Sequence, residues 1–128
     1  MLWRIVGNLG RGTLTVRRIT QAWIVIIIAG SLMPARPARL VAVHHEMHWL
    51  AFAGAAFLFL LPTRNFVQAV PRAASMLFLG VGLEFVQHLI YHIGFEWSDV
   101  RDDTLAILAV LAMYGIAGWL NAAHVHKP

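Results

Sequence analysis

A chain of 128 residues in which 59% are hydrophobic and 12% charged, with mean hydropathy +0.69, is too apolar for a water-soluble domain, where about 25% of residues are charged. With no cysteine it has neither a disulfide framework nor a thiol nucleophile. The net charge of +4 forms no stripe with interleaved aromatics, so membrane topology explains the arginines better than nucleic acid does.

The length suits one domain, and residues 1–18 read as a cytoplasmic segment leading into it. Leu2, Trp3, Ile5, Val6 and Leu9 offer one side of a short surface helix, which Gly7, Gly10 and Gly12 weaken. Arg17-Arg18 ahead of an apolar run resembles a secretory or twin-arginine signal. No clean small-x-small cleavage site follows, so the run is expected to stay as an anchor. It spans about 19–33 and ends at Pro34 and Pro37. The second apolar run is about 44–61, closed by Pro62. The third, about 73–93, follows Pro71, which suits a first helical turn. The fourth is about 104–120, leaving 121–128 as a cytoplasmic tail.

A membrane-crossing helix needs about 20 residues, so the first two runs are short, and Arg17 and Arg18 can snorkel to extend the first. The period-two alternation of barrel strands is not visible. The fold expected is therefore all-α, a four-helix transmembrane bundle. With the N-terminus in the cytoplasm, that side collects Arg4, Arg11, Arg17, Arg18, Arg64, Arg72 and Lys127. The other side has only Arg36, Arg39 and Arg101, together with Glu46, Glu96, Asp99, Asp102 and Asp103. This asymmetry puts both termini inside.

The chemistry centres on Glu84, in the middle of the third run. An ionisable residue at membrane depth costs about 2.5–3.5 kcal/mol on insertion scales and marks a functional site by default. At 100° per residue Ala73, Gly80, Glu84, Gln87, His88 and Tyr91 share its face. On the second helix His44, His48, Ala51 and Ala55 align, with His45 at the margin. On the fourth, Asp99, Asp103, Ala106 and Val110 align if the helix begins early enough. Packed together, these faces gather histidines and carboxylates in one outward cleft, with Glu84 its deepest member and His48 its natural partner. The expected binding residues are His48, Glu84, Gln87, His88, Asp99 and Asp103. Four histidines near the cleft also make it a candidate for sensitivity between about pH 5 and 8.

Plainer readings stand beside these. Glu84 can simply tie helices together, since interhelical polar pairs are common. Asp99, Asp102 and Asp103 read as a solvated loop whose acids complement the dipole of the fourth helix. His44, His48, His88 and His92, with the acids, are candidate ligands for a divalent ion, but His44-His45-Glu46-Met47-His48 is not the metalloprotease His-Glu-x-x-His. No resident cofactor is expected. Enzyme readings fare poorly, because Ser75 lies off the polar face and the cleft is net negative, unsuited to an anionic head group.

The ordered set Ser31-Leu32-Met33-Pro34, His48-Trp49-Leu50-Ala51-Phe52, Gly82-Leu83-Glu84-Phe85-Val86-Gln87 and Asp99 with Asp103-Thr104-Leu105-Ala106 resembles the VanZ-like family. Those are small bacterial membrane proteins with four spans, named for a teicoplanin-resistance protein. Asp103 and Ala106 stand where that pattern has Asn and Gly, and no Arg occupies Gly94–Ser98. The resemblance covers about Ala29 to Gly118. It implies a multi-pass inner-membrane protein of the cell envelope, in a family where glycopeptide resistance is attached to only some relatives. The outer cleft itself reads as a site for a lipid-linked or amphipathic ligand, or a partner, through which drug susceptibility is altered. Two other readings stay open: a metal-assisted hydrolase or transferase on a lipid head group, and a small accessory subunit of a membrane complex or homo-oligomer.

Overall fold

A computed structural model describes residues 13–33 and 44–125, and all of the regular structure among them is helical. Four helices follow in order: α1 (Thr13–Ser31), α2 (His44–Leu60), α3 (Phe66–Tyr91) and α4 (Trp97–Val125). The expected surface helix over residues 2–9, and Arg36 and Arg39, lie outside the described residues.

The helix limits differ from the sequence expectation where capping decides them. α3 starts at Phe66, well before 73, because Asn65 is its N-cap, with extended backbone and a side chain that accepts from the Gln68 N–H at 3.0 Å. Pro71 thus lies inside the helix and not in its first turn. The helix stops at Tyr91 because His92 turns left-handed (φ 53°) and its N–H closes on the His88 carbonyl. α4 begins at Trp97, so Asp99, Asp102 and Asp103 are helical and not part of a loop. It continues through Val125, into the expected tail.

The helices run up, down, up, down. Ser31 and Leu32 at the end of α1 meet Gln87 and Tyr91 at the end of α3. His45 and His48 at the start of α2 meet Asp102 and Asp103 at the start of α4. Past the far end of α2, the Thr63 carbonyl accepts from Tyr114 Oη of α4 at 3.0 Å. The start of α1 and the end of α4 therefore lie at one end of the bundle, and the paired histidines and aspartates at the other.

α2 packs against all three other helices. Its Phe52, Ala55, Ala56 and Leu60 are buried, and the first three join Ile27, Ala73, Met76, Leu83, Ala106 and Ile107 in the core. Small residues in α2 let its neighbours come close: Gly54 faces the Trp23 ring, whose Nε1–H donates to the Ala51 carbonyl at 2.9 Å.

The outside is strongly apolar. Phe78, Trp119, Met113 and Leu50 are 76%, 70%, 69% and 69% exposed, an extent of apolar surface that a water-soluble monomer does not sustain. Among the described residues α1, α3 and α4 are long and apolar enough to cross a membrane. α2 has 17 residues, about 26 Å at 1.5 Å per residue, against a hydrocarbon core of about 30 Å. The chain is an all-helical membrane protein.

Candidate functional site

The polar site is built where α2 and α4, running parallel, begin side by side. His45 and His48, three residues apart, share a face of α2. Asp99, Asp102 and Asp103 occupy the first two turns of α4, where the helix dipole favours anions. All three aspartates are buried, at 2%, 4% and 3% exposure. Burying carboxylates costs several kcal/mol each unless they are paired and hydrogen-bonded, and this arrangement pairs them.

His48 is the hub. Its Nδ1 is 2.8 Å from Asp103 Oδ1 and its Nε2 is 3.3 Å from Asp99 Oδ2. An imidazole with a carboxylate against each nitrogen can serve both as donor only when both nitrogens carry protons. The ring also stacks on Phe52 one turn further along α2, with centroids 6.3 Å apart and planes within 10°. His45 Nδ1 lies 2.5 Å from Asp102 Oδ2, while Arg101 Nε and Nη2 donate to Asp102 Oδ1 at 3.1 and 3.0 Å. Asp102 is thus clasped by two side chains that reach solvent.

Gly80 of α3 brings the third helix against this pair. A Cβ there would lie 2.8 Å from Asp103 Oδ2 and 3.2 Å from Phe52 Cε1. One turn on, Glu84 is buried, at 4% exposure. Its Oε1 accepts from the Glu96 N–H at 2.6 Å, which ties α3 to the residue just before α4.

The sequence expectation paired His48 with Glu84. The structure pairs His48 with the aspartates of α4, because α2 and α4 start side by side. Glu84 fastens the α3–α4 connection. Gln87 and Tyr91 serve a different purpose: Gln87 Nε2 donates to the Ser31 carbonyl at 2.5 Å and Tyr91 Oη to the Leu32 carbonyl at 2.7 Å. They satisfy carbonyls left open at the end of α1. His88 is exposed, with its Nδ1 2.5 Å from the Ile93 carbonyl. It belongs to the end of α3 and not to the cluster. His92 forms the left-handed cap, and the side chain of His44 lies outside the described residues.

Of the expected binding residues, His48, Asp99 and Asp103 converge and Glu84 sits one turn from Gly80, which contacts Asp103. Gln87 and His88 lie apart from the cluster. The sequence reading took Asp102 for part of a solvated loop, counted Arg101 only as an outward charge, and left His45 at the margin. The signal was available: acids at i, i+3 and i+4 opposite histidines at i, i+3 are the spacings of two facing helices.

Chemically, the arrangement can hold a proton or a cationic group between carboxylates. The hydroxyls of Thr20, Thr63, Ser75 and Thr104 are each committed to a backbone carbonyl about one turn back. Among the described residues, no group of three or more His, Asp or Glu side chains is arranged to hold a metal ion. Compared with known proteins, the chain matches no protein family, no curated sequence and no solved structure.

Proposed function

We propose that this chain is a four-pass protein of the bacterial cytoplasmic membrane, VanZ-like in kind, with both termini in the cytoplasm. Its outward mouth, formed by His45, His48, Asp99, Asp102 and Asp103, binds a cationic or amphipathic ligand, or a partner, and so alters susceptibility to glycopeptides such as teicoplanin. One observation carries the reading. His48 is held between two buried carboxylates at the bundle end opposite Arg17, Arg18, Arg64 and Arg72.

The arginine-rich end is the cytoplasmic one by the positive-inside rule, which turns the cluster outward. Although α2 is short, its parallel seating beside the first turns of α4 supports a fourth crossing, with α2 shielded by its neighbours. Interhelical polar contacts contribute only about 0.6 kcal/mol each on average, and ionisable residues within membrane helices by default mark a functional site. A cluster of three buried aspartates around His48 therefore supports a binding role. Three aspartates and Glu84 against Arg101 and two histidines favour a positively charged group over an anionic head group.

The test is teicoplanin susceptibility in a sensitive bacterium expressing wild type, His48→Ala or Asp103→Asn, with membrane abundance matched. Protection by the wild type that both variants lose supports the reading. Equal protection by well-inserted variants removes the cluster from it, and no protection from well-inserted wild type removes the glycopeptide connection.

A further inference from the structure

At the opposite, arginine-rich end a groove of about 420 Å³ opens between α1, α2 and α3. That volume lies in the range of small-ligand sites, about 300–1,000 Å³. Ile24, Leu58 and Phe59 form apolar walls, and Arg17 of α1 and Arg72 of α3 also line it. The Arg72 guanidinium is held in place: its Nη1 donates to the Phe59 carbonyl at 3.1 Å, and its Cζ lies 5.6 Å from the Phe59 ring centroid. That carbonyl takes one of five N–H donors. Arg17 is exposed.

No acid lines the groove. All six carboxylate side chains of the sequence are Glu46, Glu84, Glu96, Asp99, Asp102 and Asp103, at the start of α2, late in α3, or at and just before the start of α4. These positions all belong to the other end of the bundle. Two guanidiniums above apolar walls, with no counter-charge from the protein, match an amphipathic anion. Guanidinium is the side-chain group best shaped for phosphate oxygens, and basic pockets between membrane helices take anionic head groups.

We propose that this groove binds one anionic phospholipid, its phosphate held by Arg17 and Arg72 and an acyl chain lying against Ile24 and Leu58. The site is independent of the His48 cluster and of any effect on glycopeptides, and needs only that the protein be in a membrane.

The experiment uses the full chain purified in neutral detergent. It is titrated with phosphatidylglycerol or with phosphatidylcholine of the same acyl chains, and bound lipid is counted by native mass spectrometry. One phosphatidylglycerol per chain is expected, held well above phosphatidylcholine. Arg17→Gln should weaken it about five- to tenfold, whereas Arg18→Gln, which removes the adjacent charge without touching the groove, should change it less than about twofold. Arg72→Gln should weaken binding too, but it also removes a contact to Phe59, so the exposed Arg17 carries the decision. Equal retention of the two lipids overturns the proposal, as do equal effects of the Arg17 and Arg18 substitutions, which indicate surface attraction alone. Displacement by inorganic phosphate at moderate concentration also overturns it, in favour of a free-anion site.

Discussion

At position 80 the absence of a side chain lets Asp103 of α4 and Phe52 of α2 press against the α3 backbone, at 2.8 and 3.2 Å from where a Cβ would stand. Gly80→Ala is therefore expected to destabilise the bundle by about 1–3 kcal/mol through overpacking and to push Asp103 away from His48. Gly82, with nothing within 4 Å of its Cβ position, is the matched control. Its alanine variant should be neutral or slightly stabilising, and unfolding in mixed micelles compares the two. Glu84 can be read the same way. Glu84→Gln keeps an oxygen to accept the Glu96 N–H, whereas Glu84→Leu leaves that amide unpaired at a cost of about 1–3 kcal/mol. If the glutamine variant unfolds as readily as the leucine variant, Glu84 does more than hold the α3–α4 connection. His48→Ala removes the shared partner of two buried acids and should cost about 3–5 kcal/mol, to be measured alongside the susceptibility assay.

Among the elements, the α3–α4 connection is short and depends on one residue in a disfavoured backbone region, His92 at φ 53°. A non-glycine residue there costs about 1–2 kcal/mol, so His92→Gly should raise thermal stability; a fall would show that the imidazole itself is needed. The helices as a set were legible from the apolar runs, but their ends were legible only in part. Asn65 with Gln68 three residues on is a capping signal, and Pro71 drew attention away from it. α4 was harder. Asp99, Asp102 and Asp103 look like solvent-loving residues before an apolar run, and only the facing histidines of α2 turn them inward. Local sequence favours charge in water, and tertiary pairing overrides it here. The faces of the site were likewise readable from 100° periodicity, which placed Gly80 with Glu84 and Asp99 with Asp103. Which face meets which was not, because helix pairing depends on all four helices together.

For the whole molecule, the order up, down, up, down makes topology testable with single cysteines in a chain that has none of its own. With both termini inside, Gly94→Cys should react with a membrane-impermeant maleimide on intact cells, and Asn65→Cys only after permeabilisation. Labelling of Asn65→Cys from outside would overturn either that orientation or the crossing by α2. α1 has a particular place in this order. Its last carbonyls, at Ser31 and Leu32, find their donors in Gln87 and Tyr91, more than fifty residues later in the chain. In hydrocarbon an open carbonyl costs several kcal/mol. During synthesis, then, the end of α1 has to wait near water until α3 has been made. The end of α1 is thus closed only by residues made more than fifty positions later, and a chain interrupted before Gln87 would hold a helix whose end had not yet closed.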